Sequence, residues 1–286
     1  VFLAKIGWID LALSRPLPSV PSSVTITRRP DQSYEVSFVV EVTPTNLSPE
    51  VERHAGVDVG LESFAAITYS DGSREKIANP RFYRKQARKL AQAQRGLKRK
   101  QGPDRRTGQK ANNSWKNQQA KIARLHSKYA HARKDFTAKL AHRLASENTT
   151  IAIEGLNIRG LARSGGKNAQ GRRLRRSVHD AAWGTFFQAL VHAAGGRVIP
   201  VNPAHTSQTC SVCGVPGGPK PLGVRVWQCQ ACYAVVDRDW NAAVNIMLAA
   251  GQAESLNAGG GGVRLQLAGA TACEAGTRWS DEEMAA

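Results

Sequence analysis

Cys210, Cys213, Cys229 and Cys232 stand as C-x2-C-x15-C-x2-C, the spacing of two tight knuckles whose thiolates can close on one ion. Four thiolates fill a tetrahedral Zn2+ shell and leave no position for water, so the spacing predicts a structural metal rather than a reactive one. The short segment between the pairs has little core of its own, and its folding should depend on the ion. The fifth cysteine, Cys273, is read as a free thiol in a loose tail.

Three acids on separate segments are the other candidates. Asp58 lies between Val57 and Val59 of "HAGVDVG", Glu154 ends "TTIAIE", and "DRDWNAA" offers Asp237 and Asp239 at the start of a helix. Each has a plainer reading. An unpaired carboxylate on an apolar strand is costly, Glu154 can simply face solvent, and Asp at a helix start commonly caps it. Converging, the three would repel one another unless cations lay between them, and Mg2+ or Mn2+ suits an oxygen cage. Two such ions can activate water and stabilise the leaving oxygen of a phosphodiester.

Charge sharpens that reading. The chain of 286 residues carries 40 Lys/Arg against 22 Asp/Glu. Between Arg81 and Arg143 stand 20 basic residues and only Asp104 and Asp135, so this stretch holds the whole excess and the rest cancels. A surface that only needs solubility mixes its signs; a one-sign field points to a polyanion, above all nucleic acid. Arg84, Lys85, Arg88, Lys98, Arg99 and Lys100 are the candidates there, with Arg172, Arg173, Arg175 and Arg176 further on.

The elements that must carry these residues are partly legible. "SVTITRR" and "SYEVSFVVEV" alternate as strands about the turn "PDQS". "HAGVDVG" and "SFAAITYS" form a hairpin that places Asp58 on its first strand. Asn79 and Pro80 suit the start of a first helix. Ile122, Leu125, Tyr129, Ala132, Phe136, Leu140 and Leu144 make one apolar stripe of a second, over about six turns. The pair predicts a helical hairpin, apolar inside and basic outside. "NIRGLARSGGKNAQGRRLRR" lacks periodicity and predicts a mobile loop. A helix over 177–194, the strand "RVIPV" and a last helix "DWNAAVNIMLAA" follow, then a poorly ordered tail from residue 251.

No run of about 18 apolar residues occurs, so no membrane span is expected. The opening "VFLAKIGWIDLALS", broken by Lys5 and Asp10 and without a small-residue cleavage site, does not read as an export signal. Paired cysteines without export favour an intracellular metal site over disulfides. There is no internal repeat, no P-loop and no G-x-G-x-x-G.

"GVDVG", "IEGL", "NPAHTSQTCSVCG", "CQAC" and "DRDWNAAVNI", in that order, resemble the RuvC-like nuclease region of the TnpB (OrfB) family of bacterial insertion-sequence proteins, which is related to type V CRISPR effectors. The resemblance runs from about residue 54 to 248, more weakly through the N-terminal strands. It implies an α/β, RNase H-like (RuvC) mixed sheet with an inserted basic helical hairpin, an inserted four-cysteine zinc ribbon and a partial N-terminal β-barrel. It implies an Asp58–Glu154–Asp239 triad holding two Mg2+ ions; Asp239 rather than Asp237 stands two residues before Asn241. The implied activity is cleavage of target DNA chosen by a guide RNA, in the bacterial cytoplasm.

The expected divisions are a partial wedge-like domain over 1–53, the nuclease domain over 54–206 with the hairpin insert 79–147, the ribbon over 207–236, a final helix over 237–250 and the tail 251–286. The family carries a longer N-terminal wedge and recognition part, so the chain reads as beginning inside the end of that wedge. A non-catalytic or decayed nucleic-acid-binding protein, and a transposase that joins strands itself, are the competing expectations.

Overall fold

The computed structural model of the chain describes residues 2–13, 16–41, 49, 51–164, 168–221 and 223–257. Two units divide it, Val1–Ala250 and Gly251–Ala286. Of the loose tail expected from residue 251, residues 251–257 are helical and the rest, with Cys273, lies outside the described residues.

The chain opens with two separate two-stranded antiparallel sheets, β1 (Phe2–Leu3) with β2 (Gly7–Trp8) and β3 (Ser23–Arg28) with β4 (Tyr34–Val39). These are the strands expected of a partial barrel, and among the described residues they pair only as hairpins. The main sheet begins with β5 (His54–Val59), β6 (Ser63–Tyr69) and β7 (Arg74–Ala78), an antiparallel meander. Two long helices follow, α1 (Phe82–Lys98) and α2 (Asn113–Glu147), and then β8 (Thr150–Glu154) lies parallel to β5. After α3 (Ile158–Ser164), α4 (Ala169–Ala181) and α5 (Trp183–Ala194), β9 (Val198–Val201) lies parallel to β8. The sheet order is β7-β6-β5-β8-β9. A small hairpin, β10 (Val226–Gln228) with β11 (Val235–Asp237), leads into α6 (Arg238–Asn257).

Strand alternation assigns the two faces of the sheet. Ala55, Val57 and Val59 of β5 and Ile151 and Ile153 of β8 enter a core with Leu140 and Leu144 of α2 and Phe186 and Leu190 of α5. The intervening residues, Gly56 and Asp58 of β5 and Ala152 and Glu154 of β8, therefore belong to the opposite face. There Ala152 and Val201 pack against Ile246 and Ala250 of α6.

The apolar stripe of α2 is buried or half-buried along its length, as its spacing predicts. It serves two partners: Ile122 and Leu125 pack on Leu90 and Ala93 of α1, with Tyr129 against Tyr83, while Phe136, Leu140 and Leu144 pack on the sheet side. Arg197 closes the C-terminal end of α2, donating to the carbonyls of Ala145 (3.0 Å) and Asn148 (2.5 Å), where a cation also suits the helix dipole.

Three expectations need correction. Helix α1 starts at Phe82, later than Asn79: Arg81 takes a left-handed conformation with φ 50°, and Asp180 of α4 accepts from the Tyr83 amide at 2.7 Å. The segment 157–176 is not one loop. It contains α3 and the start of α4, whose N-cap Asn168 accepts from the Gly171 amide at 2.7 Å. The expected helix over 177–194 is broken at Ala182, whose φ of 56° turns the chain so that Trp183 and Phe186 enter the core.

Candidate metal centre

The register of the main sheet lays out the first site. Asp58 pairs across to Ala66, and Ala66 to Lys76; on the other side Val57 pairs with Ile153, so Asp58 and Glu154 follow side by side, and Glu154 pairs with Val201. Lys76, Asp58 and Glu154 thus share one row and one face of the sheet, strands being about 4.8 Å apart.

Asp239 comes from above. It sits in the first turn of α6, one turn before Ala243, and Ala243 rests directly over Gly56. Asp58 therefore has both other acids as neighbours. Burial, Glu154 and Asp239 push its pKa well above the usual carboxylate range, while Arg238 and Lys76 pull the other way. Burial also raises Glu154, opposed by a hydrogen bond from the Thr206 hydroxyl.

Asp237 has a different task. Its Oδ1 accepts from the amides of Asp239 (3.0 Å) and Trp240 (3.1 Å), which makes it the N-cap of α6. Lys76 Nζ reaches both of its carboxylate oxygens, at 2.9 and 2.7 Å. Although burial opposes it, these partners hold Asp237 below the usual carboxylate range. Capping thus falls to Asp237, which frees Asp239 from that role. Asp239 keeps only looser cations, Lys76 Nζ and Arg225 Nη1, each at 3.5 Å.

The three carboxylates nevertheless stand apart. Among the described residues, the one group of metal-ligating side chains that closes within 4.8 Å is the cysteine set. The raised pKa of Asp58 comes first from burial and then from Glu154 and Asp239. An all-oxygen, mutually repelling donor set of this kind fits a hard divalent ion.

The cysteines form the second site. Cys210 Sγ lies 3.8 Å from Cys232 Sγ, and Cys213 Sγ lies 3.7 Å from Cys229 Sγ. A disulfide would require about 2.0 Å, whereas a tetrahedron with zinc–sulfur bonds of about 2.3 Å has edges of about 3.8 Å. The group can hold zinc. Backbone amides of Cys232 and Ala231 draw the Cys229 thiol down to about 6. Against the Val215 amide, burial and hydrogen bonds with the other sulfurs push Cys213 up to about 12. Four thiols so placed share protons unequally until a cation lets them all ionise.

The basic candidates fall on or beside two helices. Arg84, Lys85, Arg88, Lys98 and Arg99 are exposed on and just beyond α1, and Lys100 donates to Ser114 Oγ at 2.6 Å. Lys89, Arg95 and Lys121, which the sequence reading passed over, join Arg99 around a groove between α1 and α2 floored by Ala93 and Gly96. Arg172, Arg173 and Arg176 are exposed and Arg175 half-buried, all on α4 rather than on a loop. Lys76, Arg225 and Thr206 were not legible as site residues; only Thr206 carried a signal, inside "NPAHTSQTCSVCG". No described helix is long and apolar enough to cross a membrane.

Two family models and several known proteins match the chain. The OrfB_IS605 family model, described as a probable transposase, matches residues 37–165, and the Cas12f1-like TNB domain model matches 183–246. A Streptomyces pristinaespiralis protein designated "Putative RNA-guided DNA endonuclease" is 38% identical over 264 residues, covering 90% of this chain and 60% of that protein. Escherichia coli K12 InsQ, of the same designation, is 33% identical, covering 88% of this chain and 62% of its own length. The chain therefore spans about 60% of these relatives. Among solved structures, a CRISPR-Cas12f ternary complex aligns over 76% of this chain and 42% of its own, with TM-score 0.48 and 21% identity.

Proposed function

The chain belongs to the TnpB (OrfB) family of insertion-sequence proteins, and from that premise we propose that it is the nuclease part of a transposon-encoded, RNA-guided DNA endonuclease. Its catalytic residues are Asp58, Glu154 and Asp239, which would hold two Mg2+ or Mn2+ ions. The observation that carries this reading is the juxtaposition of acids from separate elements, Asp58 and Glu154 following one another in register on β5 and β8 and Asp239 in the first turn of α6, whose Ala243 lies over Gly56. Groups with perturbed pKa values gather at functional sites.

Divalent ions held there would supply activation of water and stabilisation of the leaving oxygen of a phosphodiester. The chain's own residues do the rest. Asp58 is the central acid, flanked by Glu154 in the sheet and by Asp239 from α6. Lys76 and Arg225 keep Asp239 in place. Zinc on the four cysteines would be structural, since no coordination position stays open. The α1–α2 groove and the arginines of α4 would grip the phosphates of a guide RNA paired with target DNA, the protein reading backbone and base pairing reading sequence.

The strand order, three antiparallel strands followed by two parallel ones, supports an RNase H-like (RuvC) assignment. In that reading the domain covers 54–206 with the hairpin inserted at 79–147, the ribbon is 207–236, and the N-terminal hairpins are part of a wedge barrel. The site of action would be DNA in the bacterial cytoplasm.

The test is cleavage of DNA by the purified full chain with RNA transcribed from its own locus. Mg2+-dependent cutting that Asp58→Ala abolishes while nucleic-acid binding persists is the expected result. Binding without cutting by the unaltered chain would instead identify a nucleic-acid-binding remnant of the fold. Joined rather than simply broken strands would identify a transposase.

A further inference from the structure

The segment between β9 and the first cysteine pair touches two of the three acids or the elements that bear them. The Thr206 hydroxyl donates to Glu154 Oε1 at 2.5 Å, and Thr206 is only 8% exposed. The Thr206 carbonyl in turn accepts from Asn245 Nδ2 of α6 at 2.8 Å. Three residues on, the Thr209 carbonyl accepts from Asn241 Nδ2 and Asn245 Nδ2, both at 2.8 Å. The Ser211 amide donates to Asn241 Oδ1, also at 2.8 Å. Asn241 is 2% exposed, so these bonds form out of reach of water, where leaving a polar group unpaired is costly. Cys210, the first thiol of the metal set, lies inside the same stretch and is fully buried.

One short strap is thus tied to Glu154 by a side chain, to α6 by two asparagines, and to the cysteine site by its own residue. Asn241 follows Asp239 by two residues, and so anchors the turn that presents that acid. A hydroxyl on one carboxylate oxygen fixes the rotation of the group, as outer partners of metal ligands commonly do.

We propose that Thr206 is a positioning residue for Glu154, and that the 206–211 strap couples the two metal sites, so that filling the cysteine site strengthens divalent-ion binding by the acids. The proposal rests on the reading that Asp58, Glu154 and Asp239 hold the divalent ion. The strap passes rigidity rather than charge. With the cysteines clamped, Thr209–Ser211 is held against α6 and Thr206 is held against Glu154; with them open, both acids lose a fixed support.

The experiment is titration of the zinc-loaded full chain with Mn2+, followed by the electron paramagnetic resonance of the free ion, with zinc content and Tm measured in parallel. Thr206→Val, which keeps the shape and loses the proton donor, should weaken Mn2+ binding by about tenfold or more at unchanged zinc content. Thr206→Ser should restore it. Cys213→Ser, which opens the cysteine site, should weaken Mn2+ binding as well. If Thr206→Val or Cys213→Ser binds Mn2+ like the unaltered chain while Asp58→Asn does not, the coupling is wrong and the acid site stands. If Asp58→Asn also leaves binding unchanged, the acid site itself is wrong and the coupling falls with it. Should Thr206→Val fail to fold, the contrast between Thr206→Ala and Thr206→Ser gives the same decision.

Discussion

A Cβ built on Gly56 would lie 2.1 Å from the carbonyl oxygen of Ala243 and 2.7 Å from the Cβ of Met247. Only the absence of a side chain lets the backbone of α6 descend onto the sheet at that point. Gly56 precedes Asp58 by two residues on the same face, and Ala243 follows Asp239 by one helical turn. The contact therefore sets the height at which Asp239 stands over Asp58. The requirement is steric, and it makes a small residue part of the site's geometry although it carries no chemistry.

Gly56→Ala should accordingly push α6 away. The obstructing atoms are backbone and Cβ, which cannot swing aside, so the overpacking cost is about 1–3 kcal/mol or more. Calorimetry should show Tm lower by at least about 2 °C, and Mn2+ binding should weaken in the same variant. An unchanged Tm would mean that α6 does not rest on Gly56.

Asp237 and Asp239 should separate cleanly. Asp237→Ala removes the cap of α6 and the partner of Lys76, and should lower stability by about 0.5–2 kcal/mol. Asp239→Ala relieves repulsion of Asp58 and should leave Tm unchanged or higher while Mn2+ binding is lost. Chemical denaturation alongside Mn2+ titration distinguishes them; the reverse pattern would exchange their roles.

Asp58 makes a prediction in pH. Its carboxyl binds a proton more tightly in the folded chain than the ordinary value of 3.8 allows in the unfolded one. The stability this proton contributes is full below about pH 3.8 and is lost as pH rises towards the folded value. Asn in its place cannot ionise and escapes that loss. Metal-free Asp58→Asn should therefore match the unaltered protein near pH 4 and exceed its Tm at neutral pH. Mg2+ should narrow the gap by stabilising only the unaltered protein. A Tm difference that is the same at both pH values would remove the electrostatic account.

Much of this architecture was legible in advance because period and spacing are local. The stripe from Ile122 to Leu144, the alternation of β5 and the cysteine spacing each need only one stretch of chain. Ala182 was not legible: nothing in an alanine announces a left-handed turn, which here follows from the burial of Trp183 and Phe186. The helix that bears the arginines of α4 was hidden by the glycine-rich composition of the segment, which obscured Asn168 as its cap. The choice between Asp237 and Asp239 rested on a family spacing alone, and the pairing of Asp237 with Lys76 of β7 is a long-range contact that no local pattern encodes. Thr206 stood within a recognisable motif, yet its bond to Glu154 depends on the pairing of β8 with β9.

The arginines of α4 give the last prediction. Arg172, Arg173 and Arg176 project from a helix, so their spacing is fixed before any nucleic acid arrives and little order has to be gained on binding. If each neutralises one phosphate, replacing all three by Ala should reduce the slope of log K against log salt by about 0.9 per contact, or about 2.7 on duplex DNA. The loss of affinity should be similar for unrelated sequences, since phosphate contacts carry no sequence information. Binding measured across a salt series, with the exposed α1 set Arg84, Lys85 and Arg88 replaced in parallel, shows which helix carries the strand. A slope unchanged by the α4 substitutions and reduced by those in α1 would assign the contact to α1.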